Sequence, residues 1–255
     1  VCNNNKMETL KKTKIYNKEF FIFGHRGVPS LEEENTIPSF EKAIELNYDG
    51  VELDVQMTKD KRIIVYHDII QRESKKKIIN CSYQEILNKN KNTLTFPLLE
   101  DVLSRLGHQT VINIEIKYQS KESILIVERV IEKIKSFNLI DNIIISSFNP
   151  QIIRQSKKID NRIQTAWIWG KNNFYFYNTW AIVLRYFSPD AIHIKGSLIN
   201  KTIVNQLHLQ NIAILAYTIN DIHQLRELVK LKIDGIFTDF PEVMKAGRSL
   251  IHQQN

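Results

Sequence analysis

Only two of the 255 residues are cysteine, Cys2 and Cys81. Two thiols give no disulfide framework, and so few suit a reducing compartment. Long hydrophobic runs are also missing. None approaches the roughly 20 apolar residues that cross a bilayer. No zinc-finger spacing and no aromatic RNA-binding signature occurs, which argues against nucleic acid as a partner. No glycine-rich G-x-G-x-x-G loop follows the first apolar run, which argues against an open dinucleotide-binding sheet. Neither an internal repeat nor a second domain is evident.

What is present is ordinary for a globular chain. Hydrophobic residues make up 43% and charged residues 25%, and the length allows a large core. The net charge is +7, but Lys and Arg are scattered through every segment and form no stripe, so solubility explains them better than a membrane surface does. A cytoplasmic location is the expectation. The chain begins at Val1 with "VCNNNK", so a trimmed start, a lipoprotein tether or an exported form stays open.

Short β-branched runs alternate with helical periodicity to the end of the chain. Eight strands are expected: 20–24, 50–55, 111–117, 142–148, 164–170, 191–196, 213–219 and 235–240. Amphipathic stretches such as "TIPSFEKAIEL" and "DIHQLRELVKL" follow them. Eight such units in this length predict an α/β fold, a closed (β/α)8 barrel of the TIM type. It forms a single domain over residues 20–255, behind an N-terminal extension, 1–19. "GVELDVQMT", "KDKR" and "IIVYHD" read as a hairpin that adds a strand outside the eightfold count. Residues 69–97 are polar and rich in Lys and Asn, and they read as a small insertion between the second strand and its helix near Leu98.

A barrel of this kind places its active site at the C-terminal ends of the strands. His25 and Arg26 stand there, as do Glu52 and Asp54, His67 and Asp68, Glu115 and Lys117. Tyr217, Thr218, Asn220, Thr238 and Asp239 follow from the last two strands. Glu52 and Asp54 are two apart, so both face the interior, with Leu53 facing the helices. Two like charges so close repel or trap a proton, and a divalent cation relieves the conflict. With Glu115 the set is three carboxylates and no thiolate, which suits one hard ion, Mg²⁺ or Ca²⁺. A polar layer satisfied by Lys and Arg is the simpler alternative, but it leaves two histidines at the same rim unexplained. Two histidines offer a general acid and a general base. The cation, Arg26 and Lys117 would meet a concentrated negative charge. A phosphodiester fits that set.

The ordered series "HRG…EENT…SFEKAIEL…DGVELDVQMTKD…IVYHD…NIEIK…SSF…YTIN…GIFTDFP" resembles the glycerophosphodiester phosphodiesterase family from about Phe23 to Pro241. The resemblance implies a barrel with a small insertion after the second strand, a divalent metal, and hydrolysis of glycerophosphodiesters to glycerol 3-phosphate and an alcohol. It implies that His25 and His67 are the catalytic pair, that Glu52, Asp54 and Glu115 are metal ligands, and that Arg26 and Lys117 contact phosphate. Glu34 and Asn35 match the segment that supports the first histidine's loop. Asn47 stands where the family has a helix-ending Gly. Glu33 stands where the family often has Pro, and Tyr217 where it often has Trp. Tyr217 therefore bears on the alcohol side of the substrate. A phospholipase D-like activity on lysophospholipids or sphingolipids is the alternative within related barrels. Its only support is the aromatic stretch 172–187, which is better read as a helix packed on the barrel. The expected partner is a small-molecule substrate.

Overall fold

Strands that bury both faces need helices over their outer side, and the alternation in the sequence supplies them in order. A computed structural model describes residues 20–72, 75–89, 96–117, 124–170 and 180–253. The extension 1–19, parts of the insertion (73–74 and 90–95) and the start of the aromatic stretch (171–179) lie outside the described residues.

Nine strands are described: β1 (Phe21–Gly24), β2 (Gly50–Met57), β3 (Ile63–Val65), β4 (Val111–Ile116), β5 (Ile143–Ser147), β6 (Gln164–Trp169), β7 (Ala191–Lys195), β8 (Ala213–Tyr217) and β9 (Gly235–Thr238). All except β3 run parallel in the order β1-β9-β8-β7-β6-β5-β4-β2, and β1 also pairs with β2. The ring is closed, as expected of a (β/α)8 barrel. β3 lies antiparallel on β2, with Val55 opposite Val65, as the hairpin reading requires. At the closing seam Phe23 pairs with Gly50. A Cβ on Gly50 would come within 2.4 Å of the Phe23 ring and 2.7 Å of the Val111 carbonyl, so a side chain there would displace the ring and press on β4.

The helices are α1 (Ile37–Glu45), α2 (Tyr83–Lys89), α3 (Leu99–Leu106), α4 (Ile124–Ser136), α5 (Pro150–Ile159), α6 (Trp180–Phe187), α7 (Lys201–His208), α8 (Ile222–Lys230) and α9 (Pro241–His252). Thr36 caps α1 through the Ser39 amide, and Pro38 sits in its first turn, where a missing N–H is harmless. Asn47 takes φ 63° just past the end, the left-handed cap that Asn tolerates in place of Gly. In α3 the buried residues Leu99, Val102, Leu103 and Leu106 fall on one stripe.

Strand alternation then divides the core in two. Outward residues such as Val51, Leu53 and Val55 join the helix faces in one large apolar layer. Inward residues Phe21, Phe23, Ile144, Ala166, Leu215 and Phe237 plug the lower barrel. Within that plug, Phe21 stacks on Phe23 at 5.4 Å and Phe23 on Phe237 at 5.1 Å between ring centroids. The described part of the insertion forms a third, smaller core: Ile78, Cys81, Ile86 and Phe96 pack with Ile64 and Tyr66 of the hairpin and with Leu98 at the start of α3. Its first residues, Ile69 and Ile70, instead line the open mouth beside His67, Asp68 and Lys117. From the aromatic stretch, α6 buries Leu184 and exposes Tyr186, whose ring lies 4.3 Å from the Arg154 guanidinium.

Candidate active site

β1 ends in a tight turn. Arg26 adopts φ 56° and Gly27 φ 90°. This left-handed step costs a non-glycine residue about 1 kcal/mol, and the contacts it makes possible offset that cost. The Arg26 amide donates to Glu52 Oε2 at 2.9 Å, and its guanidinium donates to both oxygens of Glu34 at 3.0 and 2.9 Å. Its Nε lies 3.3 Å from Asp54 Oδ2, close enough for an ion pair but not aligned for a hydrogen bond. Asn35, also left-handed at φ 58°, holds Asp54 twice. Its Nδ2 donates to Asp54 Oδ2 at 2.9 Å, and its Oδ1 accepts from the Asp54 amide at 3.1 Å.

Glu52, Asp54 and Glu115 project inward from β2 and β4, where the register pairs Asp54 with Glu115. All three are buried, and one oxygen of each lies within 4.8 Å of the others. Lys117 Nζ reaches Asp54 Oδ1 at 2.7 Å and Glu115 Oε1 at 2.5 Å. The electrostatics separate the carboxylates. Burial works against ionised Asp54, but Lys117 and Arg26 outweigh it and hold its pKa at about 2. Burial and the Asp54 charge push Glu52 up to about 8, against the pull of His25 and Arg26. Glu115 is raised by burial despite Lys117. Burial also opposes the Lys117 ammonium, yet Glu115 and Asp54 hold its proton above the ordinary lysine range. Three clustered oxygen donors, one of them unable to ionise readily on its own, are a fitting donor set for a hard divalent cation.

The histidines flank this cluster. His25 Nδ1 lies 2.8 Å from Asp239 Oδ1. Burial lowers the His25 pKa, but the hydrogen bond to Asp239 and the charge of Glu52 prevail, and the net shift is upward. Asn220 in turn holds Asp239, donating from its side chain and accepting from the Asp239 amide at 2.9 Å. His67 Nδ1 lies 2.9 Å from Asp68 Oδ1, and Arg72 Nε is 2.9 Å from Asp68 Oδ2. Gln56 fixes that loop, donating to the carbonyls of Tyr66 at 2.7 Å and Asp68 at 2.9 Å. Tyr217 donates its hydroxyl to the Trp169 carbonyl at 3.1 Å and meets Phe148 edge-on at 6.3 Å between centroids.

These side chains open onto one cavity of about 220 Å³. His25, Arg26, Glu52, His67, Glu115, Lys117 and Tyr217 line it, while Asp54 lies beneath, in contact with Lys117. Every residue expected at the site from the sequence is therefore gathered at one end of the barrel. Sequence reasoning placed Asp239 and Asn220 at the rim without assigning their partnership with His25. It passed over Asn113 and His193, which also line the cavity. The signal for Asn113 was its position two before Glu115. That for His193 was its polar place in "AIHIK", between two apolar neighbours that face the helices.

A parallel barrel that concentrates carboxylates, two aspartate-held histidines and two cations in one mouth is suited to the chemistry of a phosphoric diester hydrolase. Comparison with known proteins narrows it. The model of the Glycerophosphoryl diester phosphodiesterase family matches residues 25–243, and the chain belongs to that family. It is 32% identical to a glycerophosphodiester phosphodiesterase of Bacillus altitudinis over 236 residues, 87% of this chain and 95% of that one. A lysophospholipase D of Rattus norvegicus is 22% identical, over 87% of this chain and 83% of its own. Among solved structures, an Oleispira antarctica phosphodiesterase in complex with the product sn-glycerol-3-phosphate superposes with a TM-score of 0.77 at 22% identity, over 89% of this chain and 96% of that one. A glycerophosphodiester phosphodiesterase from Thermotoga maritima gives 0.74 at 24% identity, over 92% and 98%. Among the described residues no helix is long and apolar enough to cross a membrane.

Proposed function

We propose that this chain hydrolyses glycerophosphodiesters to glycerol 3-phosphate and an alcohol, using one divalent cation, Mg²⁺ or Ca²⁺, and two histidines. The observation that carries this reading is the meeting of three buried carboxylates and two histidine–aspartate pairs around a single cavity, which Glu52, Glu115, His25 and His67 line. Glu52, Asp54 and Glu115 would hold the ion. When bound, a divalent cation supplies charge that offsets the negative charge growing on the phosphate oxygens. Arg26 and Lys117 add to it and orient the diester. Asp239 and Asp68 occupy the Nδ1 atoms, so each imidazole addresses the substrate through Nε2. His25 takes the proton of the attacking hydroxyl, whether from water or from the glycerol 2-hydroxyl. As the P–O bond to the alcohol breaks, His67 donates a proton to the departing oxygen; where the 2-hydroxyl has attacked, water then opens the cyclic phosphate to glycerol 3-phosphate, with the two histidines exchanging roles.

The substrate assignment draws support from the Bacillus relative's name and from the product held by the Oleispira protein. A second reading, action on lysophospholipids, is favoured by the exposed Ile69, Ile70 and Phe148 at the mouth. ³¹P NMR of products from glycerophosphocholine, supplied as a soluble diester, and from a micellar lysophospholipid distinguishes the two. Glycerol 3-phosphate from the soluble diester, abolished by EDTA and restored by Mg²⁺ or Ca²⁺, is the expected result. Turnover of the micellar substrate alone would overturn it.

A further inference from the structure

Below the charged rim, the cavity has a floor that the chemistry above does not use. Asn113 lies one inward-facing position below Glu115 on β4, and His193 one below Lys195 on β7. They are 1% and 2% exposed, and both line the cavity. Asn113 Nδ2 donates to Ser146 Oγ at 3.0 Å, which leaves its Oδ1 buried with no hydrogen-bond partner. His193 Nε2 is also buried with no partner. Its ring is supported by Phe237, 4.7 Å away and the last member of the aromatic stack that plugs the barrel.

Two orphaned polar atoms in the floor of one cavity are a costly arrangement unless something completes them. The surroundings say what that is. Asn113, His193, Ile168 and Phe237 are all neutral, because burial pushes the His193 imidazole down to about 3. These four residues themselves offer an anion no cation and an ammonium no carboxylate, and the carboxylate beside Asn113, its register partner Glu52, belongs to the carboxylate cluster above, so a further charged group would enter at a desolvation cost. A trimethylammonium group has no N–H to offer Asn113 Oδ1. A hydroxyl donates to Asn113 Oδ1, and a second hydroxyl can donate to or accept from a neutral imidazole. We propose that Asn113 and His193 form a neutral polyol subsite that receives the glycerol hydroxyls of the substrate, and so act as its specificity-determining residues. This rests on the phosphodiesterase reading and deepens it. The diester then lies with its glycerol end inward and its second alcohol outward past Phe148 and Tyr217. The enzyme is thereby selective for the glycerol end and tolerant of the other.

The test compares kcat/KM for glycerophosphocholine with kcat/KM for methyl p-nitrophenyl phosphate, which carries no hydroxyl. In His193→Phe and Asn113→Leu the ratio of the two is expected to fall about 10- to 100-fold, the usual consequence of an unpaired site for a substrate hydroxyl. His193→Gln, which keeps a donor and an acceptor, should recover most of it. A proportional loss on both substrates, or no loss on either, overturns the subsite. Inhibition of the aryl diester reaction by glycerol 3-phosphate gives an independent measure, expected to weaken in His193→Phe and to return in His193→Gln. If the wild-type chain cleaves glycerophosphocholine but not the aryl diester, glycerol 3-phosphate affinity by isothermal titration replaces the ratio: weaker binding in His193→Phe and recovery in His193→Gln are expected, and equal affinity in all variants removes the subsite. If the wild-type chain cleaves the aryl diester but not glycerophosphocholine, the proposed function fails. The subsite then stands or falls on that inhibition alone, and equal inhibition in all variants removes it.

Discussion

Two histidine–aspartate pairs face one carboxylate cluster, and they are built in opposite ways. His25 and Asp239 are 214 residues apart and meet across the β1–β9 pairing, with side chains 21% and 24% exposed. His67 and Asp68 are neighbours in sequence on the loop after β3, 35% and 34% exposed, with Asp68 tied to Arg72. The first pair is a product of the closed ring and is braced by Asn220. The second is local and opens toward solvent beside Ile69 and Ile70. The same chemical unit is thus more enclosed on one side of the cavity and more accessible on the other. A group that must activate a fixed nucleophile gains from enclosure. One that serves a variable leaving alcohol gains from access.

The largest expected effect erases the contrast. Removing the cation with EDTA, or replacing Glu52→Gln, should lower kcat by at least about 10³-fold on every substrate, because the proposed mechanism has the cation and both histidines act on the same phosphate. Isothermal titration with Mg²⁺ should show binding lost in Glu52→Gln. Retention of full activity in a chelated sample would break the metal assignment.

Next come the histidines themselves, each worth about 10²–10⁴-fold. An alkoxide needs a proton to leave and a nitrophenolate does not. His67→Ala should therefore suppress glycerophosphocholine cleavage far more than cleavage of an aryl diester, and His25→Ala should suppress both alike. The reverse pattern exchanges the roles.

The braces should differ as the pairs do. Asp239→Asn is expected to cost about 10- to 100-fold in kcat/KM, and Asp68→Asn less, because hydrogen bonds matter more where water is excluded. Asp239 raises the His25 pKa. Without it, the acid limb of the kcat/KM profile, set by a base that must be deprotonated, should move to lower pH. The same raised pKa contributes stability that is complete below the unfolded value of about 6.5 and is lost as pH rises through the higher folded value. Metal-free urea melts between about pH 6 and pH 9 should show that decline in the parent and a weaker one in Asp239→Asn. Equal slopes would remove the link.

The smallest effect is expected at Arg72, which is 62% exposed on the open side. Arg72→Ala should change stability by less than about 1 kcal/mol, as exposed ion pairs do, and kcat/KM by no more than about threefold. A loss as large as that of Asp239→Asn would show the outer pair to be as strictly held as the inner one.

Much of this was legible in the sequence, and the limits are physical. The eight strands, the hairpin and the insertion show themselves because period-2 runs, polar turns and helical stripes are local patterns. Glu52 and Asp54 are legible because residues two apart share a strand face. The bond between His25 and Asp239 is not local. It exists only because β9 returns to β1, and no spacing in the chain encodes that distance. His193 was hidden for another reason. In "AIHIK" the alternation of polar and apolar residues is plain, but alternation alone does not tell which face is the inside. In this barrel the polar face turns inward at β7, and the isoleucines cover the outside.

The pairing of the first strand with the last has a consequence for how activity is acquired during synthesis. A chain emerging from the ribosome displays His25, the three carboxylates, Lys117 and the whole His67 loop well before residue 239 is added. Until β9 is in place the ring is open at β1, and the first histidine has no aspartate to hold it. Under the proposed mechanism the nascent chain would stay inactive until β9 and Asp239 have been added. A circular permutant opened between β5 and α5 would carry the β9–β1 junction inside one continuous segment. It would assemble the inner pair early and leave a different seam to close last.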